Sequence, residues 1–165
     1  MILLDTDTVT HFSYGNDNVR RKIEEVEDEE LAVAIITRNE ILRGRADSLL
    51  KAANEEELQK AMERFQQAEE MLSDFVVVGF DETSIKHFGR LRKQKNLKKM
   101  GRADMLIACI ALAHDALLVT RNAKDYKDVA GLRWPTGWTD VAVPNKPLTS
   151  STHPLDPDDR PMQRP

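Results

Sequence analysis

The sequence predicts an α/β domain in which a central, mainly parallel sheet is covered by helices on both faces. Short apolar runs without polar alternation recur along the chain, and stretches with helical spacing of apolar residues separate them. Parallel strands that are buried on both faces have this pattern because helices pack against each side of the sheet. The length of 165 residues suits one such domain.

The first two predicted strands are the apolar runs at residues 2–4 and 31–36. Between them, Val19, Ile23 and Val26 are spaced as on one face of a helix. A strand, a helix and a second strand in this order predict a βαβ unit, in which the two strands are parallel.

A helical hairpin is predicted between the second and third strands. Its helices cover about residues 37–43 and 55–72, and both are amphipathic. The second helix is expected to carry an apolar stripe made of Leu58, Met62, Phe65 and Leu72.

The rest of the domain repeats the alternation of strand and helix. Residues 75–78 and 117–120 are predicted as buried strands, whereas 81–95 and the apolar segment 102–114 are predicted as helices. Cys109 lies within the second of these helices. As the only cysteine, it is expected to be a small core residue.

The composition changes near Val143, and six of the seven prolines follow this point among polar residues. Such a segment cannot bury a core. We therefore expect a compact domain at residues 1–143 and a proline-rich polar C-terminal tail at 144–165.

Neither a membrane span nor a targeting segment is predicted. The longest apolar run, at residues 105–113, has nine residues, against the roughly 20 that are needed to cross a membrane. The first residues contain no basic or long apolar leader. A cytoplasmic protein is expected.

Charge is distributed unevenly along a chain whose formal net charge is −4. Residues 86–102, called the basic segment below, contain eight lysines and arginines and no acid. Such a cluster can bind phosphate groups, although a solvated helix face is its commoner meaning. The eight cations are Lys86, Arg90, Arg92, Lys93, Lys95, Lys98, Lys99 and Arg102.

Acidic residues follow several of the predicted strands or begin a helix beside them. Ligands of parallel sheets bind beyond the carboxyl ends of the strands, and acids that meet there repel one another unless they are protonated or bridged by a cation. Oxygen ligands suit Mg²⁺ or Mn²⁺, whereas the four histidines lack the spacing of a zinc site. The residues concerned are Asp5, Glu40, Asp104, and Asn122 with Asp125.

Each of these residues can also be explained as a helix cap, since acids are common at helix N-termini. Capping gives no reason for several acids to meet at one edge of a sheet, and this joint pattern favours a metal site. The capping candidates are a capping box of Thr37 and Glu40, Asp104 at its helix dipole, Asn122 with Asp125, and Asp7 or Thr8 at the first helix.

Four segments of the chain carry a family resemblance. They read ILLDTD at 2–7, ITRNEILRG at 36–44, DMLIA at 104–108 and LVTRNAKDY at 118–126. In order and spacing they resemble the motifs of PIN-domain ribonucleases, and most closely those of VapC toxins from bacterial toxin–antitoxin pairs. The resemblance covers about residues 1–138 and implies a PIN-like three-layer α/β/α domain.

The resemblance implies a hydrolase that cleaves RNA phosphodiesters with water activated by Mg²⁺ or Mn²⁺. Asp5, Glu40 and Asp104 are the implied catalytic residues and metal ligands. Where the family often has an acid as fourth ligand, this chain has Asn122, so the fourth ligand is Asn122 or Asp125. Thr120 is expected to support the site through its hydroxyl, although its β-branched side chain is equally typical of a strand.

Partners follow from the same resemblance: an RNA substrate, a cognate antitoxin protein, and a homodimer or a toxin–antitoxin hetero-oligomer. The RNA class, transfer, ribosomal or messenger, is left open because all three offer similar phosphate contacts. The expected substrate-binding residues are Arg43, Lys98, Lys99 and Arg102. For the two arginines, salt bridges to Glu40 or Asp104 are an alternative.

Two other functions are compatible with parts of the sequence. Asp5 and Asp7 fit the nucleophile loop of haloacid-dehalogenase-like phosphatases, but the late Gly-Asp pair of that family is absent from the sequence and Glu40 would have no role. The second is a PIN-like module that has lost a ligand, as Asn122 would allow, and that binds RNA or protein without cleavage.

Overall fold

A computed structural model of the chain describes residues 1–13, 21 and 30–134. In this part of the molecule the strands are β1 (Ile2–Leu4), β2 (Leu31–Ala34), β3 (Val76–Val78) and β4 (Leu117–Val119). They form one sheet in the order β3-β2-β1-β4, and every neighbouring pair is parallel. The predicted helix of Val19, Ile23 and Val26 and the predicted tail at 144–165 lie outside the described residues.

Helices follow the strands as predicted. Most of their bounds differ from the predicted ones by a few residues, but the first helix of the hairpin ends eight residues beyond its predicted end. A short 3-10 helix, Lys95–Leu97, lies between the fourth and fifth of them. The α-helices are α1 (Thr6–Ser13), α2 (Ile35–Lys51), α3 (Glu55–Ser73), α4 (Glu82–Leu91), α5 (Arg102–Ala113) and α6 (Ala123–Tyr126).

The core lies on both faces of the sheet. Leu3 and Ala32 pack on one face with the apolar side of α5, which includes Cys109 as a fully buried residue. Successive residues of a strand point to opposite faces, and Ile2 and Leu4 accordingly pack on the other face, in a second cluster that includes residues of α1 and α3. The predicted three-layer α/β/α arrangement is confirmed.

Strand β3 lies at one edge of the sheet. The prediction that this strand is buried on both faces is wrong. It pairs only with β2 within the described sheet, and Val76 and Val77 remain 44% and 39% exposed. The strand β2 is also shorter than predicted, because Ile35 and Ile36 already belong to α2. The chain thus passes from strand to helix without a connecting loop.

The helical hairpin is confirmed, since α2 and α3 contact each other along their lengths. Helix α2 continues eight residues beyond the predicted end at Arg43, because packing against α3 outweighs the low helix propensity of Gly44. The predicted stripe of α3 is partly wrong. The buried residues are Ala61, Ala68 and Leu72, whose small members allow close helix packing, whereas Leu58 and Met62 are 44% and 49% exposed.

Helix α4 ends at Leu91, before the predicted end at residue 95. Its N-cap is Asp81, whose side chain accepts a hydrogen bond from the backbone nitrogen of Ser84 at 2.6 Å. The chain then turns into the 3-10 helix, which buries Leu97. Among the described helices, none is both long and apolar enough to cross a membrane.

Candidate functional site

Asp5 lies directly after β1 and is 5% exposed. Its Oδ1 accepts a hydrogen bond from the backbone nitrogen of Thr8 at 2.8 Å, so Asp5 itself caps α1 and the predicted caps Asp7 and Thr8 are wrong. The hydroxyl of Thr120, which follows β4, donates to Oδ2 of Asp5. Burial disfavours the charged carboxylate and raises the pKa of Asp5 to about 6.

Glu40 lies in the second turn of α2 and is half-buried. The hydroxyl of Thr6 donates a hydrogen bond to its Oε2 at 2.7 Å. The pKa of Glu40 is raised, first by burial and then by the negative charges of Asp104 and Asp7. Glu40 is therefore close enough to Asp104 and Asp7 to interact with their charges.

The predicted capping box of Thr37 and Glu40 is wrong. Helix α2 begins at Ile35, directly after Ala34, and the cap position makes no side-chain hydrogen bond. The hydroxyl of Thr37 is buried and has no hydrogen-bond partner among the described residues. Glu40 is thus free of a capping role and available for another function.

Asp104 lies in the first turn of α5 and is half-buried. The hydroxyl of Tyr126 in α6 donates a hydrogen bond to its Oδ1 at 3.1 Å. Burial raises the pKa of Asp104, and the charges of Asp125 and Asp7 raise it further. The position at a helix N-terminus agrees with the predicted dipole interaction, but the repulsion from neighbouring acids opposes it.

The three carboxylates meet at one edge of the sheet, beyond the carboxyl ends of β1, β2 and β4. Asp7, which is exposed, raises the pKa of all three through its charge. Burial raises the pKa of the Tyr126 hydroxyl, and the negative charges of Asp104, Asp5 and Glu40 raise it further. We call the set of Asp5, Glu40, Asp104 and Asp7 the carboxylate edge.

Each of the three predicted ligands accepts a hydrogen bond from one hydroxyl: Asp5 from Thr120, Glu40 from Thr6, and Asp104 from Tyr126. Within residues 1–13, 21 and 30–134, no three Asp, Glu, His or Cys side chains are arranged to hold a metal ion as they stand. The all-oxygen donor set nevertheless fits the chemistry of Mg²⁺ or Mn²⁺.

The two candidates for the fourth ligand are joined to each other and to the site. The backbone nitrogen of Asn122 donates to the hydroxyl of Thr120 at 2.9 Å, and its side-chain amide donates to the carboxylate of Asp125. Asn122 precedes α6 but makes no side-chain hydrogen bond to the helix backbone, so its predicted capping role is wrong. Asp125 supplies the charge that acts on Asp104.

The predicted substrate-binding residues have exposed side chains. Arg43 lies three residues after Glu40 on α2, and Lys98 and Lys99 follow the 3-10 helix. Arg102 begins α5, with its guanidinium carbon 5.0 Å from the centroid of the Phe88 ring. In the described part of the chain, neither arginine forms an ion pair with a carboxylate, so the salt-bridge alternative is wrong.

The remaining cations of the basic segment are exposed as well. Across the described ranges, none of the eight is paired with a carboxylate. The segment ends at Arg102, two residues before Asp104 of the carboxylate edge.

Three site residues were not predicted as such: Thr6, Asp7 and Tyr126. Thr6 and Asp7 belong to the N-terminal motif. Successive side chains of a helix point in different directions, so a helix that begins after Asp5 directs the side chains of Thr6 and Asp7 toward different neighbours. Tyr126 ends the fourth motif and is fully buried. A signal for its second role existed, since a buried tyrosine hydroxyl needs a hydrogen-bond partner.

Sequence comparison identifies a matching protein family and a similar individual protein. The family model described as PIN domain matches residues 2–132. Ribonuclease VapC1 of Haemophilus influenzae strain R2866 is 28% identical over 144 residues, which cover 83% of this chain and 97% of the relative.

Solved structures share the fold. A chain in the crystal structure of VapBC2 from Rickettsia felis bound to a promoter DNA fragment superposes with a TM-score of 0.69 and 24% identity, covering 82% of this chain and 98% of that one. A chain of VapBC-1 from nontypeable Haemophilus influenzae gives 0.67 and 23%, covering 84% and 99%. At these identities the similarity establishes the fold.

Proposed function

We propose, because the chain belongs to the PIN-domain family, that it is an endoribonuclease dependent on Mg²⁺ or Mn²⁺ and the toxin of a toxin–antitoxin pair. The sequence relative is named a ribonuclease, and the structural relatives are VapBC proteins. The chain covers nearly the full length of each of these relatives, so no catalytic segment of theirs lacks a counterpart by length.

One observation supports the enzymatic function above the others: Asp5, Glu40 and Asp104 come from separate segments and all have a raised pKa at the same edge of the sheet. Perturbed pKa values that cluster at one place are typical of functional sites. A bound divalent cation would offset the repulsion.

Asp5, Glu40 and Asp104 would hold the metal, with Asp125 or Asn122 as the fourth ligand. The cation, when bound, makes water acidic enough to supply hydroxide at neutral pH and stabilises charge on the leaving oxygen. The hydroxyls of Thr6, Thr120 and Tyr126 hold the carboxylates in fixed orientations. Because water and not the ribose 2′-OH would attack, the expected products carry a 5′-phosphate and a 3′-hydroxyl.

RNA would reach this site along the basic segment. Its eight exposed cations attract phosphates by release of counterions, a contribution that weakens as salt increases. Arg43 would contact the phosphate backbone of the RNA on the side of Glu40 away from the basic segment. The stacking of Arg102 on Phe88 restricts the guanidinium without consuming its hydrogen-bond donors, which leaves them available for a phosphate.

The proposed partner is a cognate antitoxin that covers the carboxylate edge and places a cationic side chain among the acids. We propose a cytoplasmic location and a homodimer or a toxin–antitoxin hetero-oligomer. An antitoxin of this kind should compete with divalent metal, because both would offset the same negative charge.

The direct test is cleavage of structured RNA by the purified full chain, with Mg²⁺ or Mn²⁺ and with a chelator. We expect metal-dependent cleavage with 5′-phosphate ends. Hydrolysis of a small phosphate ester without RNA cleavage would instead indicate a phosphatase, a function that membership of the PIN-domain family disfavours. RNA binding without cleavage at any metal concentration would indicate the PIN-like binding module.

A further inference from the structure

Tyr126 is placed to control the orientation of one carboxylate. Its side chain is 0% exposed, and its hydroxyl donates to Oδ1 of Asp104 at 3.1 Å. A buried phenol that loses its partner pays the cost of desolvation without compensation. The pair is therefore constrained from both sides, with Asp104 as the acceptor that the tyrosine needs.

Gly101 constrains the other oxygen of the same carboxylate. A Cβ atom added at Gly101 would lie 2.5 Å from Oδ2 of Asp104 and 3.5 Å from its Cγ. The backbone of Gly101 has φ −56° and ψ 149°, a conformation open to any residue. A side chain at position 101 would thus be accepted by the backbone but would require the Asp104 carboxylate to move.

We propose that Gly101 and Tyr126 are positioning residues that together hold the Asp104 carboxylate in the orientation used at the carboxylate edge. Tyr126 binds Oδ1, and the absence of a side chain at Gly101 leaves space for Oδ2. The metal part of this inference rests on the proposed function, whereas the orientation of Asp104 does not. Neither residue touches the substrate or the metal, since both act through Asp104.

Three substitutions separate this role from general stability. Tyr126→Phe removes the hydroxyl and keeps the ring, and Gly101→Ala adds the Cβ atom that Asp104 must avoid. The matched control is Gly89→Ala in α4, where an added Cβ meets nothing within 4 Å. Thermal unfolding of the full chain establishes that each variant is folded.

The first readout is the ¹³C chemical shift of the Asp104 carboxyl carbon in the metal-free chain. We expect it to move in Tyr126→Phe and in Gly101→Ala and to stay at the wild-type value in Gly89→Ala. The proposal is overturned if the chemical shift in folded Gly101→Ala equals the wild-type value. If Gly101→Ala does not fold, Tyr126→Phe decides alone, and a chemical shift equal to the wild-type value in that variant overturns the proposal.

The second readout is the Kd for Mn²⁺, measured by titration calorimetry with the metal alone. Each variant is expected to raise Kd roughly tenfold or more, as loss of groups that orient ligands generally does. The double variant should bind no more weakly than Gly101→Ala, because both changes act on one carboxylate and are not additive. Full additivity of the two effects would contradict a shared target.

These readouts also separate the proposal from the proposed function. If the wild-type chain neither binds Mn²⁺ nor cleaves RNA, the proposed function fails, while the carboxyl shift of Asp104 still decides the positioning role. If the wild type binds Mn²⁺ and the variants bind it equally well, the positioning role fails and the proposed function stands.

Discussion

The basic segment ends two residues before Asp104 of the carboxylate edge, but the charges of the two regions differ in their exposure to solvent and in their hydrogen bonds. Asp5, Glu40 and Asp104 are buried or half-buried, and each accepts a hydrogen bond from a hydroxyl. The eight cations of the basic segment are exposed and, within the described part of the chain, have no ion pair with a carboxylate. In the first region, hydrogen bonds hold like charges that repel one another. The second region is a solvent-exposed surface that attracts anions.

This difference predicts which experiments each region will respond to. Charges that are withdrawn from water interact strongly and are screened little by salt, whereas exposed charges act through the ionic atmosphere. Changes at the carboxylate edge should therefore alter the chemical step, the pH dependence and the response to metal. Changes in the basic segment should alter affinity and its dependence on salt.

The largest effect is expected from Asp104→Asn, which should abolish metal-dependent RNA cleavage. The substitution keeps the shape of the side chain and an oxygen for Tyr126, but it removes the negative charge. Initial cleavage rates at saturating Mn²⁺ measure the effect. Asp47→Asn, an exposed acid on α2, is the control and should retain the wild-type rate.

The next effect is on the pH dependence of stability without metal. The pKa of Asp5 is raised to about 6 from its ordinary 3.8, so below pH 3.8 its ionisation costs no stability. Between pH 3.8 and about 6 the unfolded chain has Asp5 ionised while the folded chain keeps it protonated, so the free energy of unfolding falls by about 3 kcal/mol across this window. The raised pKa values of Glu40 and Asp104 act in the same direction.

Asp5→Asn removes this contribution of Asp5. Denaturant unfolding in a chelator between pH 4 and pH 7 should therefore show a variant that gains stability over the wild type as pH rises. Parallel curves of unfolding free energy against pH for the two proteins would mean that burial does not raise the pKa of Asp5 in the folded chain.

A smaller effect is expected from Lys98→Glu combined with Lys99→Glu. RNA binding should weaken, and the slope of log affinity against log salt should become shallower by about 1.4, since each single-strand phosphate contact contributes about 0.7. Mn²⁺ binding should be unchanged. The matched control reverses Lys51 and Lys60, which are exposed on the helical hairpin; an equal loss of slope there would indicate a nonspecific charge effect.

The smallest effects are expected at the fourth ligand. Asp125→Ala removes a charge that acts on Asp104 and the acceptor of the Asn122 amide, so it should raise the Mg²⁺ concentration needed for half-maximal cleavage. Asn122→Asp adds a carboxylate and should lower it. Metal titrations that superimpose on wild type for both variants would exclude both residues from the site.

The sheet and its acidic edge could be predicted because parallel strands bring the residues that follow them together, wherever they lie in the chain. This is why Asp5 and Glu40 lie close together, whereas Asp104 reaches the same site from the first turn of α5, the helix that precedes β4. The capping explanation failed for Thr37 because the start of α2 depends on where β2 ends. That point is decided by strand pairing, which local sequence does not encode.

Contacts between side chains were harder to predict. The hydrogen bonds from Tyr126 to Asp104 and from Thr6 to Glu40 join separate segments, and they depend on rotamers that only packing determines. Similarly, helical spacing predicts an apolar stripe on α3 that includes Leu58 and Met62, whereas the buried residues of that helix are Ala61, Ala68 and Leu72. Which side of the helix is buried depends on packing, which periodicity alone does not determine.

The most direct test of the central claim is thermal unfolding of the wild type and of Asp5→Asn, Glu40→Gln and Asp104→Asn, each with a chelator and with Mn²⁺. If the carboxylates form one cation site, Mn²⁺ raises the unfolding temperature of the wild type and of none of the three variants. In the chelator, each variant unfolds at or above the wild-type temperature because repulsion is relieved. Variants that unfold earlier in the chelator, by the roughly 0.5–2 kcal/mol of a lost cap, and still respond to Mn²⁺ like the wild type would contradict the claim.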